Sequence, residues 1–309
     1  MRIRFLILGS LASLCALALT SACSSSSDNG GGSGDCNSVA TTACSKLQQC
    51  SPLAVKLSYG DEQTCVTRTA MSCTVGTTAP GASVTPAQFG ACATAFSQVA
   101  CKDLVSGNFA PAACTNKGSL ANGKACGSSE QCQSGYCGAS TSFCGTCGAL
   151  GAAGATCTSG DGCESGLVCN SKGVCATPAA AGGSCTDMRD CAAGLVCTSG
   201  TCAQPVAAGG TCTGGDCDQL AGSFCNPQTK VCETIQTADN GQPCGVVNGG
   251  YVSCTAAGHC SIPQGQFRGT CQAHAADGAS CDDTNGPTCL SPALCLNGKC
   301  TLPDPSSCK

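Results

Sequence analysis

The chain has 309 residues, 36 of them cysteine and 42 glycine; only 10% are charged, and the formal net charge is −4. Cysteine at about 12% lies above the ~8–10% at which a disulfide scaffold becomes the expected architecture, and it predicts an oxidising compartment. With no Trp, three Tyr and seven Phe, a large packed core is not expected, and the acidic balance gives no nucleic-acid-binding signal.

Residues 1–22 read as a secretory signal: Arg2 and Arg4 precede an apolar run from Phe5 to Leu19, and small residues lead to Cys23. The run is too short for a membrane span. Leu19-Thr-Ser-Ala-Cys23 resembles a bacterial lipobox. That resemblance implies a lipid on Cys23, which would become the mature N-terminus and tie the protein to a membrane. Parity agrees, since loss of Cys15 and acylation of Cys23 leave 34 cysteines, an even number. Residues 23–35 then form the anchor and a Ser/Gly tether of flexible composition, roughly 20 Å long as a coil.

Residues 36–114 carry eight cysteines with helical periodicity. Cys36, Ala40, Ala43, Leu47 and Cys50 share one helical face, and Ser51-Pro52 ends that helix. A second helix is predicted from an Asp61 N-cap to Cys73, with Cys65 and Cys73 on one side. Thr85-Pro86-Ala87-Gln88 combines a capping box with Pro at the first helical position and opens a third, whose face holds Phe89, Cys92, Ala93, Phe96 and Val99. Together they predict a small bundle stapled by up to four disulfides, serving as a structural base for the remainder of the chain.

Residues 115–309 hold six units, each opening Gly-x-x-Cys, with first cysteines at Cys126, Cys157, Cys185, Cys212, Cys244 and Cys281. Spacings of 27 to 37 residues with fixed internal punctuation mark an array. The gap after the second cysteine usually carries a glycine, as at Gly135, Gly166, Gly194, Gly222 and Gly258; the sixth unit has Leu290-Ser-Pro292-Ala-Leu294 instead. Third and fourth cysteines flank a hairpin signal, clearest in Cys295-Leu-Asn297-Gly298-Lys-Cys300, which predicts Cys295 opposite Cys300 and Leu296 opposite Lys299. Four cysteines allow three pairings; a bond across the hairpin and an interlaced pattern, first with third and second with fourth, both remain open. The fold class is therefore small and disulfide-rich: a short helical disulfide-stapled domain followed by a tandem, elongated array of β-hairpin-like cysteine-rich repeats.

This grammar resembles the Dickkopf-type N-terminal cysteine-rich repeat of bacterial surface lipoproteins, best in Gly123-Lys-Ala-Cys126 and Cys132-Gln-Ser-Gly135-Tyr-Cys137, followed by Cys144 and Cys147. The resemblance covers about 60% of the chain and rests on cysteine and glycine spacing. The signalling function of the animal proteins is not carried over with it, since a fold does not transfer function.

No catalytic constellation is present. Cys144-Gly-Thr-Cys147 has redox-enzyme spacing but is followed by Gly-rich sequence, so a structural role is expected, with Cys147 and Cys308 as the two cysteines beyond the four of each unit. Glu130, Asp161, Asp190, Asp216, Asp282 and Asp283 lie just before the second cysteines or in the same loop; they predict turn hydrogen bonds and not a calcium site. Before each third cysteine stands Tyr136, Val168, Val196, Phe224, His259 or Leu294. These could form a partner-contact ridge along the array or serve as miniature cores. His259 and His274 are the only histidines and show no metal or catalytic pattern. The expected protein is an exported, noncatalytic lipoprotein of a Gram-negative cell envelope, at the outer membrane or cell surface, with no cofactor or metal and no nucleic-acid partner. Its array would bind a protein or glycan, with specificity in the long gaps of the fifth unit. The alternatives are a structural or protective spacer without a ligand, and a thiol-redox or metal-sequestering protein.

Overall fold

The computed structural model describes residues 35–106, 111–139, 143–158 and 162–309. The signal, Cys23 and the tether therefore lie outside the described residues, as does Asp161.

The helical domain opens with α1 (Cys36–Cys50), α2 (Pro52–Ser58) and α3 (Glu62–Thr77), followed by α4 (Pro86–Gln98) and α5 (Cys101–Ser106). Local chemistry sets most of its boundaries. Asp35 accepts the Ser38 N–H at 2.8 Å and Asp61 the Thr64 N–H at 2.7 Å, while Thr85 and Gln88 close the expected capping box at the start of α4. Pro52 ends α1 and also occupies the first position of α2, a short helix that the stop reading overlooks. The second expected helix continues past Cys73 to Thr77. Two cores result. One gathers Val39, Ala43, Phe89, Phe96 and Val99; the other gathers Leu47, Ala54, Val55 and Tyr59. All four disulfides form: Cys36–Cys73, Cys44–Cys65, Cys50–Cys101 and Cys92–Cys114.

The six units share one construction. The pairing is interlaced, first with third and second with fourth, as in Cys185–Cys197 and Cys191–Cys202. The hairpin pair itself is not bridged: Cys197 faces Cys202, and Cys295 faces Cys300, in the register the Asn-Gly turn predicts. Each sulfur reaches instead into the preceding loop and pins it to the hairpin. The opening glycines explain the Gly-x-x-Cys rule. Gly123, Gly154, Gly182, Gly209, Gly241 and Gly278 all hold φ between +81° and +90°, where a side chain is strained. Each donates its N–H to the carbonyl of its unit's last cysteine, at 2.7–2.9 Å.

That bond also corrects the first unit. Gly123 donates to Cys147, and Cys132 pairs with Cys147, so Cys147 is the unit's regular fourth cysteine. Cys144 is the extra one, and it bonds Cys308 across 164 residues. With that bond all 34 described cysteines are paired in 17 disulfides.

The fifth unit is enlarged. Its long gaps become β1 (Pro243–Val247), β2 (Gly250–Cys254), β3 (His259–Ser261) and β4 (Arg268–Gln272). With the preceding strand, Gln236–Ala238, they make a five-stranded sheet in which only that strand pairs parallel.

The array is not elongated. It wraps the helical domain and joins its end to its beginning. In the first unit, Gln131 donates to the Pro80 carbonyl at 2.9 Å. Gly194 of the third unit lies against the Lys102 side chain, and Gly222 of the fourth against Leu53. In the fifth, Ala256 and Ala257 donate to the carbonyls of Lys56 and Leu57. From the sixth, Leu290 enters the core of Leu47, Val55 and Tyr59. Arg68 then grips that unit, donating twice to the Asp277 carboxylate and also to the carbonyls of Leu290 and Ser291. This is why the sixth unit departs from the glycine rule: its Leu290-Ser-Pro segment is a docking element. Burial against the helices, absent from any single unit's pattern, overrides the expectation of an elongated array.

Candidate interaction surface

The six residues before the third cysteines do not form one exposed ridge. Val168 and Val196 are buried. Phe224 is half-buried and meets Tyr251 of the fifth unit with ring centroids 5.8 Å apart. The half-buried Tyr136 places its hydroxyl beside Gly162 of the second unit. The ring of His259 covers Gly286 of the sixth, so closely that a Cβ there would lie 2.5 Å from Cγ. Leu294 is the one that counts as exposed. The task of the other five is to pack a unit's interior or its junction with a neighbour.

Three of the acids, Asp190, Asp216 and Asp282, make local turns, as their loop positions predict. Asp216 is buried and accepts from the Thr213 and Gly214 N–H groups, and Asp282 accepts from those of Thr284 and Asn285. Asp190 goes further. Its carboxylate takes the Thr186 and Asp187 N–H groups of its own loop, then the Ser171 N–H at 2.8 Å and hydroxyl at 3.0 Å from the preceding unit's hairpin. Burial pushes the Asp190 carboxyl upward, but the hydrogen bonds from Ser171 and Thr186 outweigh it and hold the group well below the usual carboxylate range. Close sulfur groups such as Cys212, Cys217 and Cys225 with Asp216 are neighbouring disulfides, whose sulfurs lack the thiolate charge that binds metal. His274 Nδ1 lies 2.8 Å from the Ala256 carbonyl. Burial lowers the His259 pKa, and Asp282 opposes it.

What remains exposed concentrates in the fifth unit. Of the large apolar side chains open to solvent, Val246, Ile262 and Phe267 belong to it, and Phe267 at 78% exposure far exceeds the rest. They are neighbours. The Val246 N–H donates to the Phe267 carbonyl at 2.8 Å, and Gly245 faces Arg268 across β1 and β4. Ile262 lies over the space that side chains at Gly245 and Gly269 would need, since a Cβ on either would come within 3.3 Å of it. The two glycines thus make the seat on which the patch is built. Charge sets this unit apart as well. It alone has no acid between its first and last cysteines, and Arg268 is its one charged residue there. Every other unit carries at least one Asp or Glu in that span. The gaps from Gly245 to Ser253 and from Ser261 to Thr270 were the sequence's pointer to this place; which side chains project from them was not readable.

No protein-family model, curated protein or solved structure matches the chain. Among the described residues, no helix is long and apolar enough to cross a membrane.

Proposed function

We propose that this is a noncatalytic lipoprotein of a Gram-negative cell envelope, held at the outer membrane or cell surface through Cys23, whose disulfide-rich ring displays the fifth-unit hairpin to a protein partner. The observation that carries the reading is the Val246–Ile262–Phe267 patch beside Arg268. Exposed apolar clusters rimmed by polar groups mark interaction sites, and aromatic and Arg side chains are the usual anchors of protein interfaces. A partner with an apolar cleft bordered by carboxylates fits this surface better than a glycan, which asks for a denser set of hydrogen-bonding groups. The likeness of the units to Dickkopf-type repeats supports a displayed module, and the lipobox-like Leu19–Cys23 supports the anchor. Since the cysteines from Cys36 to Cys308 pair among themselves, acylation of Cys23 takes no thiol from the fold.

Two measurements test the proposal. Intact mass of the exported protein should show Cys23 as an acylated N-terminus; an unmodified cysteine there rejects the anchor. In crosslinking on intact envelopes, the wild type should yield an adduct through the fifth unit that the Phe267→Ser/Ile262→Ser variant loses. Equal adducts from both reject the patch as the binding surface.

A further inference from the structure

Fifteen of the seventeen disulfides have at least one buried half-cystine. The two exceptions are Cys50–Cys101 and Cys144–Cys308, with Cys50, Cys144 and Cys308 half-buried and Cys101 exposed. They are also the two with the largest sequence separations, 51 and 164 residues. Within the units no separation exceeds 17. The bonds that tie the most chain together are thus the ones with neither half-cystine buried, while every bond that makes a unit fold keeps at least one of its two buried.

Their positions are equally specific. Cys144–Cys308 joins the last segment of the chain to the first unit, where Pro305 is buried and lies with Phe143 over Gly127. Cys50–Cys101 ties the end of α1 to the start of α5, beside the Lys102 side chain on which the third unit rests. Neither bond lies inside the interlaced pair of any unit. Breaking both leaves every unit's disulfides intact.

We propose that Cys50–Cys101 and Cys144–Cys308 form a redox-operated clasp, opened by exchange with an exported dithiol and closed by the reverse exchange with a disulfide, which takes up the two electrons and two protons. A thiolate of the dithiol attacks one sulfur of the bond, forming a mixed disulfide and releasing the other cysteine as thiolate. The second thiol of the dithiol then displaces the remaining cysteine. Two electrons and two protons pass to the protein, which gains two thiols, and the dithiol leaves as its own disulfide. Opening frees the constraint on the longest loop in the molecule, the one for which chain entropy gives the largest effect. The ring is then held closed only by noncovalent seats on the helices, such as Arg68 and Leu290 for the sixth unit and Gln131 for the first, and loosens between those two units while the hairpins persist.

The native protein, treated with dithiothreitol in steps, quenched by one alkylating label and mapped after full reduction with a second, tests this directly. Cys50, Cys101, Cys144 and Cys308 are expected to take the first label roughly tenfold faster than any other cysteine, because access governs exchange. The hydrodynamic radius should rise at that stage while far-UV circular dichroism stays unchanged. Unit cysteines labelled as early as these four overturn the selectivity; early labelling at constant radius overturns the opening. A variant combining Cys50→Ser, Cys101→Ser, Cys144→Ser and Cys308→Ser should be expanded without reductant. If it folds to the wild-type radius, the clasp is refuted, and if it does not fold, the wild-type labelling decides.

Discussion

Asp190 shows how much one carboxylate does in a protein with little core. It closes its own loop and holds the hairpin of the preceding unit through Ser171. Asp190→Ala should cost about 1 kcal/mol, the usual value of a cap, and should speed hydrogen exchange at the Ser171 and Thr186 amides. The native pKa lies below the ordinary value, so this stabilisation is complete above about pH 4 and is lost as pH falls through the depressed native value. The protection of those two amides, relative to their intrinsic exchange at each pH, should therefore fall in acid in the wild type and stay constant in the variant. The position of the acids was legible as turn chemistry, but the reach to Ser171 was not. It needs the second unit's Asn170–Gly173 turn against the third unit's loop, and no spacing along one repeat encodes that.

At the scale of elements, short-range chemistry carried the reading well. The Asp61 and Thr85 caps, the Asn297-Gly298 turn and the hairpin registers follow from residues within four positions of each other. A residue that serves two elements hides the second from a local pattern: Pro52 ends α1 and begins α2. The assignment of Cys147 failed for a related reason. Cys144 and Cys147 compete for the fourth place, and only the Gly123 N–H, bonded to the Cys147 carbonyl, distinguishes them. The candidate patch was legible as a pair of unusual gaps but not as side chains, because its exposure depends on how Gly245 and Gly269 let the strands approach. Gly222 offers a test of how units seat on the helices. It holds φ at +73°, and an added Cβ would fall 2.2 Å from Leu53 Cδ2. Gly222→Ala should cost about 1–3 kcal/mol through strain and overpacking, seen as a lower melting temperature. Its mark should be faster exchange at Ala221 to Ser223, with the Cys212–Cys225 and Cys217–Cys232 bonds retained.

For the whole molecule, covalent and noncovalent ties divide the work. Closing a loop of about 12 residues supplies about 3 kcal/mol in the chain-entropy model, and the buried residues of most units are chiefly their own cystines. Complete reduction in strong reductant should therefore abolish the hairpins. Far-UV circular dichroism that stayed native after all 34 thiols were titrated would contradict this. The helical domain is the hub that the sequence presented only as a base, because Leu290 and Arg68 meet across more than 200 residues of chain. Closure of the ring has a consequence for the protein's history. In an open solenoid each repeat touches only its neighbours, so repeats can be gained or lost without harm. Here the sixth unit has an assigned seat on Arg68, and Cys308 must arrive beside Cys144. Duplication or deletion of a unit would carry both out of reach, so the number of units is locked at six while the loops within them stay free to change.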